Sequence, residues 1–371
     1  MAVKFKLSLM GCILLMLFAG CKNQANTKDQ KTKKKPKEEV TISLPRKQPS
    51  EKFSHAMEEH LKAVKNMDGM DIHSIMVLKK GNVMYEKWIG EGSPNKPHVL
   101  WSVSKTFTSI AVGMAIDEGK LNLKDKLVSF FPEDLPENPS EYLKEITVRD
   151  LLTMSCGHDT DPTGSILNGK SEITQWKKYF LAYPVKHKPG TFFCYNTLGT
   201  YMLSAIVQKV TGMTTLDYLA PRLFLPLGIE KPKWELSPEG INCGGFGLYL
   251  KTEDMAKVGQ LLLQKGKWNG ERILSKKYIK AMSGNQVKSC PAGTRQDKID
   301  KNSRIQENSD WFQGYGYQMW QCRHDAFRAD GMLGQYIIVL PKKDAVIVVT
   351  ANVNDMQKEL NMIWDYILPI L

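Results

Sequence analysis

Cysteine is sparse and unpaired in this sequence. Seven cysteines in 371 residues include no Cys-x-x-Cys spacing, so a structural zinc site has no support. No Gly-x-Ser-x-Gly segment occurs, which removes the strained nucleophile elbow of one large hydrolase class. There is no internal repeat, and no later apolar run is long enough to span a bilayer. Acidic residues are scarce at the start: positions 1–50 hold 11 Lys and Arg against 3 Asp and Glu, contributing +8 of the formal +12. The other 321 residues carry only +4. The basicity belongs to a tail and not to a folded surface, which argues against nucleic acid as a partner.

The tail has its own order. Lys4 and Lys6 precede the apolar run Leu7–Phe18, and Phe18-Ala19-Gly20-Cys21 resembles a lipobox. Residues 1–21 therefore read as a lipoprotein signal peptide, with Cys21 as the lipidated residue. An ordinary secretory signal cut near Gly20, or an N-terminal anchor, is the plainer alternative. Residues 22–50 are rich in Lys, Gln, Asn and Thr. They bury too little to fold and read as a flexible tether, whose lysines suit anionic lipid or cell-wall polymer. The expected location is the cell envelope, lipid-anchored and facing the periplasm or exterior. Residues 51–371 form the folded part. Apart from Cys12 and Cys21, it holds Cys156, Cys194, Cys243, Cys290 and Cys322. An odd number leaves at least one free thiol. Buried free cysteines are expected, although a Cys156–Cys194 disulfide remains open.

The chemistry resides in Leu100-Trp101-Ser102-Val103-Ser104-Lys105. Residues three apart share one helix face. A lysine held there out of water loses charge readily and can take a serine's proton. Ser-x-x-Lys arises about once by chance in a chain of this length, and here it occurs twice. Ser93-Pro94-Asn95-Lys96 lies in a Gly/Pro-rich loop. After Ser102, by contrast, Phe107, Ile110, Ala111, Met114 and Ala115 recur at helical spacing, and Asp117-Glu118-Gly119 supplies a stop. Ser102 is thus expected at the N-terminus of a buried helix, where the dipole favours negative charge on its oxygen. The same pattern also fits a plain N-capping serine with a surface lysine.

The window His98–Phe131 resembles the serine β-lactamase-like superfamily, and more narrowly its class C β-lactamase and esterase branch, which includes penicillin-binding-protein-like carboxypeptidases. Three further blocks follow in that family's order: Ile146–Ser155, Pro189–Thr197 and Phe327–Gln335. The resemblance implies an α+β, β-lactamase-like fold: an antiparallel sheet built from both chain ends and flanked by helices, plus a mostly helical lobe over about 125–310. The residues agree with it. Strand patterns lie at Ser74–Leu78, Val83–Ile89, Tyr315–Trp320, Ala326–Ala329, Tyr336–Leu340 and Val346–Thr350, with helices at Ser54–Val64 and Asp355–Ile367. Strands at both termini with helices between them suit one sheet closed by both ends.

The resemblance implies Ser102 as nucleophile and Lys105 with Tyr195 as the proton-handling pair. Their ordinary pKa values, about 10.4 and about 10, make neither a base at neutral pH without burial and mutual proximity. The backbone amides of Ser102 and Met332 are the oxyanion candidates. Gly331 is expected to let the strand approach substrate, and Thr197 and Asp330 are secondary contacts. Two motifs depart from the family. Tyr195-Asn196-Thr197 replaces Tyr-x-Asn, and Ala329-Asp330-Gly331 replaces a Lys-Thr-Gly or His-x-Gly segment. The cation that holds a substrate carboxylate is missing. Arg328 is a substitute, but it alternates with Ala329, so the two cannot both face the pocket. Asp330 either selects a cationic substrate group or faces solvent. His158 is read as a pocket or loop residue, and Trp176 and Trp234 as core. The expectation is a serine hydrolase working through an acyl-enzyme on an ester, amide or β-lactam bond of a small-molecule or peptide-like substrate, esterase or amidase before β-lactamase, with no cofactor and no metal. A catalytically weak binding or sensor domain on the same fold is the alternative.

Overall fold

The computed structural model describes residues 43–168, 171–300 and 304–371. The signal segment, Cys21 and residues 22–42 of the tether lie outside them. Among the described residues no helix is long and apolar enough to cross a membrane.

Helix α1 (Glu51–Lys65) is capped by the Ser50 hydroxyl, which accepts the Phe53 amide. It buries Phe53, Met57 and Val64 on the outer face of a six-stranded antiparallel sheet. Strands β1 (Met70–Lys79) and β2 (Asn82–Trp88) form a hairpin through Lys80 and Gly81, both at positive φ. Strands β3 (Trp320–Gln321), β4 (Phe327–Gly331), β5 (Gln335–Leu340) and β6 (Ala345–Val353) complete the sheet in the order β2-β1-β6-β5-β4-β3. The first strand pairs with the last, from Met70 opposite Val353 to Lys79 opposite Ala345. Side chains alternate between two cores, as the pleat requires. Met76, Leu78, Val346 and Val348 face inward, while Ile75, Val77, Ile347 and Val349 meet α1 and the C-terminal helix α6 (Met356–Met362).

The inner face is covered by α5 (Thr252–Leu263). A Cβ on its Gly259 would lie 2.5 Å from Val346 Cγ1 and 2.9 Å from Ile337 Cγ2, so the missing side chain lets helix and sheet approach closely. Beyond it runs α2 (Ser104–Asp117), buried almost all round. Between residues 127 and 308 the regular structure of the described residues is mostly helical, including α3 (Val148–Leu152) and α4 (Thr197–Thr211).

Two expectations need correction. Tyr315–Trp320 is not a strand. Gly314 (φ 114) and Gln318 (φ 61) fold it into a hairpin whose ends, Tyr315 and Trp320, bridge each other. The tether expected to run to residue 50 ends earlier. Leu44 is buried, Lys47 N–H donates to the Val83 carbonyl at 3.0 Å, and Arg46 pairs with Glu86 and Glu253.

Candidate active site

The chain enters the site as a short antiparallel pair, His98–Val99 against Tyr249–Leu250, continued by Leu100 N–H to the Leu248 carbonyl at 2.9 Å. Trp101 then turns at φ +46, a strained conformation for an aromatic residue. This turn places Ser102 in a 3₁₀ segment, Trp101–Val103, that runs directly into α2. Ser102 therefore precedes the α-helix proper instead of opening it. Ser104 locks the turn: its hydroxyl donates to the Trp101 carbonyl at 2.6 Å and accepts the Leu248 amide at 3.2 Å.

Lys105 is only 1 % exposed. Its Nζ donates to Ser102 Oγ and to the Gly245 carbonyl, both at 2.9 Å, and lies 4.8 Å from the Tyr195 ring centre. Burial pushes the Lys105 ammonium down to about 7, against the opposing pull of Asp161 and Asp330. The Ser102 side chain acts to lower the Tyr195 pKa, yet burial drives it well up. Its ring stacks on Trp320 at 5.3 Å and meets Tyr315 edge-on. Ser102, Lys105 and Tyr195 are thus brought together: an amine shifted toward its neutral form on the hydroxyl, and a firmly protonated phenol whose ring lies beside that amine.

Thr197 opens α4 with its amide donating to Asp161 Oδ2 at 3.0 Å. A Cβ at Gly245 would come within 2.7 Å of Thr197 Cγ2 and 3.4 Å of Lys105 Nζ. Gly245 and Asp161 were not singled out for the site from sequence. The run Cys243-Gly244-Gly245-Phe246-Gly247 and the turn-forming Asp159-Thr160-Asp161-Pro162 are the signals that mark them.

The third motif differs most from expectation. Gly331 makes its close approach to the turn that carries Ser102 and not to an open pocket: a Cβ there would lie 2.4 Å from the Leu100 carbonyl. Met332 follows in the β4–β5 turn, its side chain 50 % exposed. Ala329 is packed in the inner core with Phe327, so no side chain replaces the missing cation there. Arg328 and Asp330 share the opposite face. Asp330 does not simply face solvent: Arg328 Nε donates to its Oδ2 at 2.8 Å, and both are buried. Arg328 also lies over Trp311 at 4.6 Å. Burial raises the Asp330 pKa while Arg328 opposes the shift.

Ser93 and Lys96 stay in a surface loop, and Trp176 and Trp234 are in the core. The five cysteines are free and buried, including Cys156 and Cys194. No group of three or more metal-ligating side chains occurs among the described residues.

A sheet closed by both chain ends, a helical lobe, and a Ser-x-x-Lys turn facing a tyrosine define a β-lactamase-like serine hydrolase architecture. The chain belongs to the Beta-lactamase family, whose profile matches residues 56–371. It is 24% identical over 294 residues to the 6-aminohexanoate-dimer hydrolase of Paenarthrobacter ureafaciens, covering 74% of this chain and 71% of that one. It is 27% identical over 167 residues to protein flp of Staphylococcus aureus, but spans only 33% of that protein's length. Among solved structures, the octameric penicillin-binding protein homologue of Pyrococcus abyssi superposes with TM-score 0.62 at 21% identity, over 86% of this chain and 77% of that one. The hydrolase EstCE1, titled for promiscuous acyltransferase activity, superposes with TM-score 0.67 at 17% identity, over 84% and 98%.

Proposed function

We propose that this chain hydrolyses an ester or amide through an acyl-enzyme on Ser102. The observation that carries the reading is the buried Lys105 amine, 2.9 Å from Ser102 Oγ. With its pKa brought to about 7, a large share of Lys105 is neutral at physiological pH. It takes the hydroxyl proton as Oγ attacks the carbonyl. The amides of Ser102 and Met332 hold the oxyanion. Tyr195, kept protonated by burial, gives its proton to the leaving group and is reprotonated from Lys105. Water then attacks the acyl-enzyme, and Ser102 is regenerated. This assigns the base to Lys105 and the acid to Tyr195.

The wall chemistry supports a substrate lacking the carboxylate that β-lactams and D-alanyl peptides carry. Arg328 is committed to Asp330 and wholly buried, and Asp161 and Asp330 both act electrostatically on Lys105. A small-molecule or peptide-like ester or amide, neutral or cationic near Asp330, suits this wall. We propose in addition, on the Phe18–Cys21 pattern alone, that Cys21 carries a lipid anchor in the cell envelope.

The test is intact mass after treatment with a serine-reactive fluorophosphonate. One adduct in the wild type, absent from a folded Ser102→Ala variant, is the expected result. No adduct on folded wild-type protein refutes the hydrolase assignment and favours a binding or sensor domain.

A further inference from the structure

We infer that His158 is a positioning residue for the Tyr195 hydroxyl, acting through Asn196; the inference rests on the reading of Ser102 and Tyr195 above. His158 is wholly buried. Its Nδ1 lies 2.8 Å from Asn196 Nδ2. Asn196 Oδ1 is already used, accepting the Gly199 amide at 2.9 Å as the cap of α4. The amide group that faces His158 is therefore the NH₂, a donor only. Nδ1 must accept, which places the imidazole proton on Nε2. That atom is buried without a hydrogen-bond partner, and the imidazole ring meets Phe180 and Tyr183 edge-on at 4.8 and 5.2 Å. A cation has no support there, and burial pushes the His158 pKa down to about 4, with Asp159 opposing. The neighbouring charges are already engaged: Asp159 pairs with Lys186 and Arg295. The Cys156 thiol, 3.8 Å from Nδ1, is kept protonated by burial, and the Tyr183 hydroxyl bonds with that of Thr160.

The loop segment His158–Asp161 thus grips the second motif at two successive positions. His158 holds the Asn196 side chain, and Asp161 holds the Thr197 amide. The loop is seated in turn by Gly157. Its φ is +95 and a Cβ there would lie 2.2 Å from the His187 carbonyl, while its own carbonyl accepts the Lys186 and His187 amides at 3.0 Å. Tyr195 is the residue immediately before the clamped pair. A displacement of about 1 Å at a reacting group can cost about a hundredfold in rate, so the clamp bears directly on the Tyr195–Ser102 contact.

The experiment measures the fluorophosphonate labelling rate of the full chain from pH 6 to 9, alongside a ¹³Cζ-tyrosine NMR spectrum that follows the Tyr195 ring independently of reactivity. His158→Leu removes the acceptor. Labelling is expected to fall tenfold or more, with the Tyr195 resonance displaced, and His158→Gln, which again offers an acceptor, recovers much of both. Asn196→Asp keeps a good helix cap but turns the donor into an acceptor, so its bond to residue 158 needs the neutral imidazole to carry its proton on Nδ1, a shift that the partnerless Nε2 does not resist. The His158 proton is therefore expected to move from Nε2 to Nδ1, read by ¹⁵N NMR of the imidazole, with the Tyr195 resonance staying close to wild type, and this variant serves if His158→Leu does not fold. Wild-type labelling and an unmoved Tyr195 resonance in His158→Leu, or a His158 proton that stays on Nε2 in Asn196→Asp, overturn the inference. Absent labelling in the wild type refutes the nucleophile instead, and the Tyr195 resonance still decides the clamp.

Discussion

Lys105→Met separates the electrostatic cost of the buried amine from its packing. Burial brings the Lys105 pKa from 10.5 to about 7. Below pH 7 the group is charged in both folded and unfolded chains, and the full cost of burying the ammonium is present, about 5 kcal/mol. Between 7 and 10.5 the unfolded chain holds the extra proton. Stability therefore rises with pH through this window as the folded state is spared the charge. At about pH 6 nearly all of that cost is present, and by about pH 9.5 most of it has gone, a fall of about 3 kcal/mol by the same linkage. Methionine fills the stem volume without charge but leaves the Gly245 carbonyl without its Lys105 donor, a loss of about 1–3 kcal/mol that does not depend on pH. The stability difference, Lys105→Met minus wild type, should thus shrink by about 3 kcal/mol between those two pH values. Urea unfolding of both chains at each pH reads it, and every other titration common to the two cancels. A difference that stays flat or grows with pH would falsify the assignment of a neutral-leaning Lys105.

Three further perturbations test the surroundings. Gly245→Ala drives a methyl against Thr197 and toward Lys105 Nζ, and should lower the labelling rate at least tenfold with little loss of secondary structure by circular dichroism; wild-type labelling would show that the Gly245 carbonyl does not set the Lys105 position. Asp330→Asn removes a charge that raises the Lys105 pKa, so the midpoint of the pH–labelling curve should move downward, by about half a unit to one unit. An upward move would contradict the electrostatics. Arg328→Met leaves Asp330 buried without its cation, a destabilisation of about 3–5 kcal/mol. Adding Asp330→Asn should restore part of that loss in thermal unfolding, and a strictly additive double variant would mean the pair is not coupled.

Much of the frame was legible because local pattern and tertiary packing agree. The strand readings at Ser74–Leu78 and Val83–Ile89 lie inside or within a residue of β1 and β2, and Ser54–Val64 lies within α1. Tyr315–Trp320 misled because its aromatic residues serve a small core with Phe193 and Met154, not a ladder; residues at positive φ override the apolar run. The closing helix stops being regular after Met362, where residues Ile363–Ile367 take a wider turn. Leu44 and Arg46 were hidden in a polar tail because their partners, Val83, Glu86 and Glu253, lie far along the chain. The strand read at Ala326–Ala329 holds Arg328 but stops one residue short of Asp330, whereas the strand runs Phe327–Gly331, and composition says nothing of which strand face is solvent, so their pairing was not foreseen.

By itself the sequence determined the spacing that sets Lys105 one turn from Ser102, the two-faced alternation of the strands, and the two departures in the second and third motifs. These are local properties, carried by covalent order and by the periods of helix and strand. Only the tertiary structure decided that Lys105 is dry, that Gly245, 140 residues away, takes its second hydrogen bond, and that Arg328 is spent on Asp330. Each of these depends on groups distant in the chain being enclosed together away from water. Burial lowers the dielectric around a charge, and that physical change, which no residue type carries alone, moves the Lys105 amine of a common four-residue pattern toward its neutral form beside the Ser102 hydroxyl.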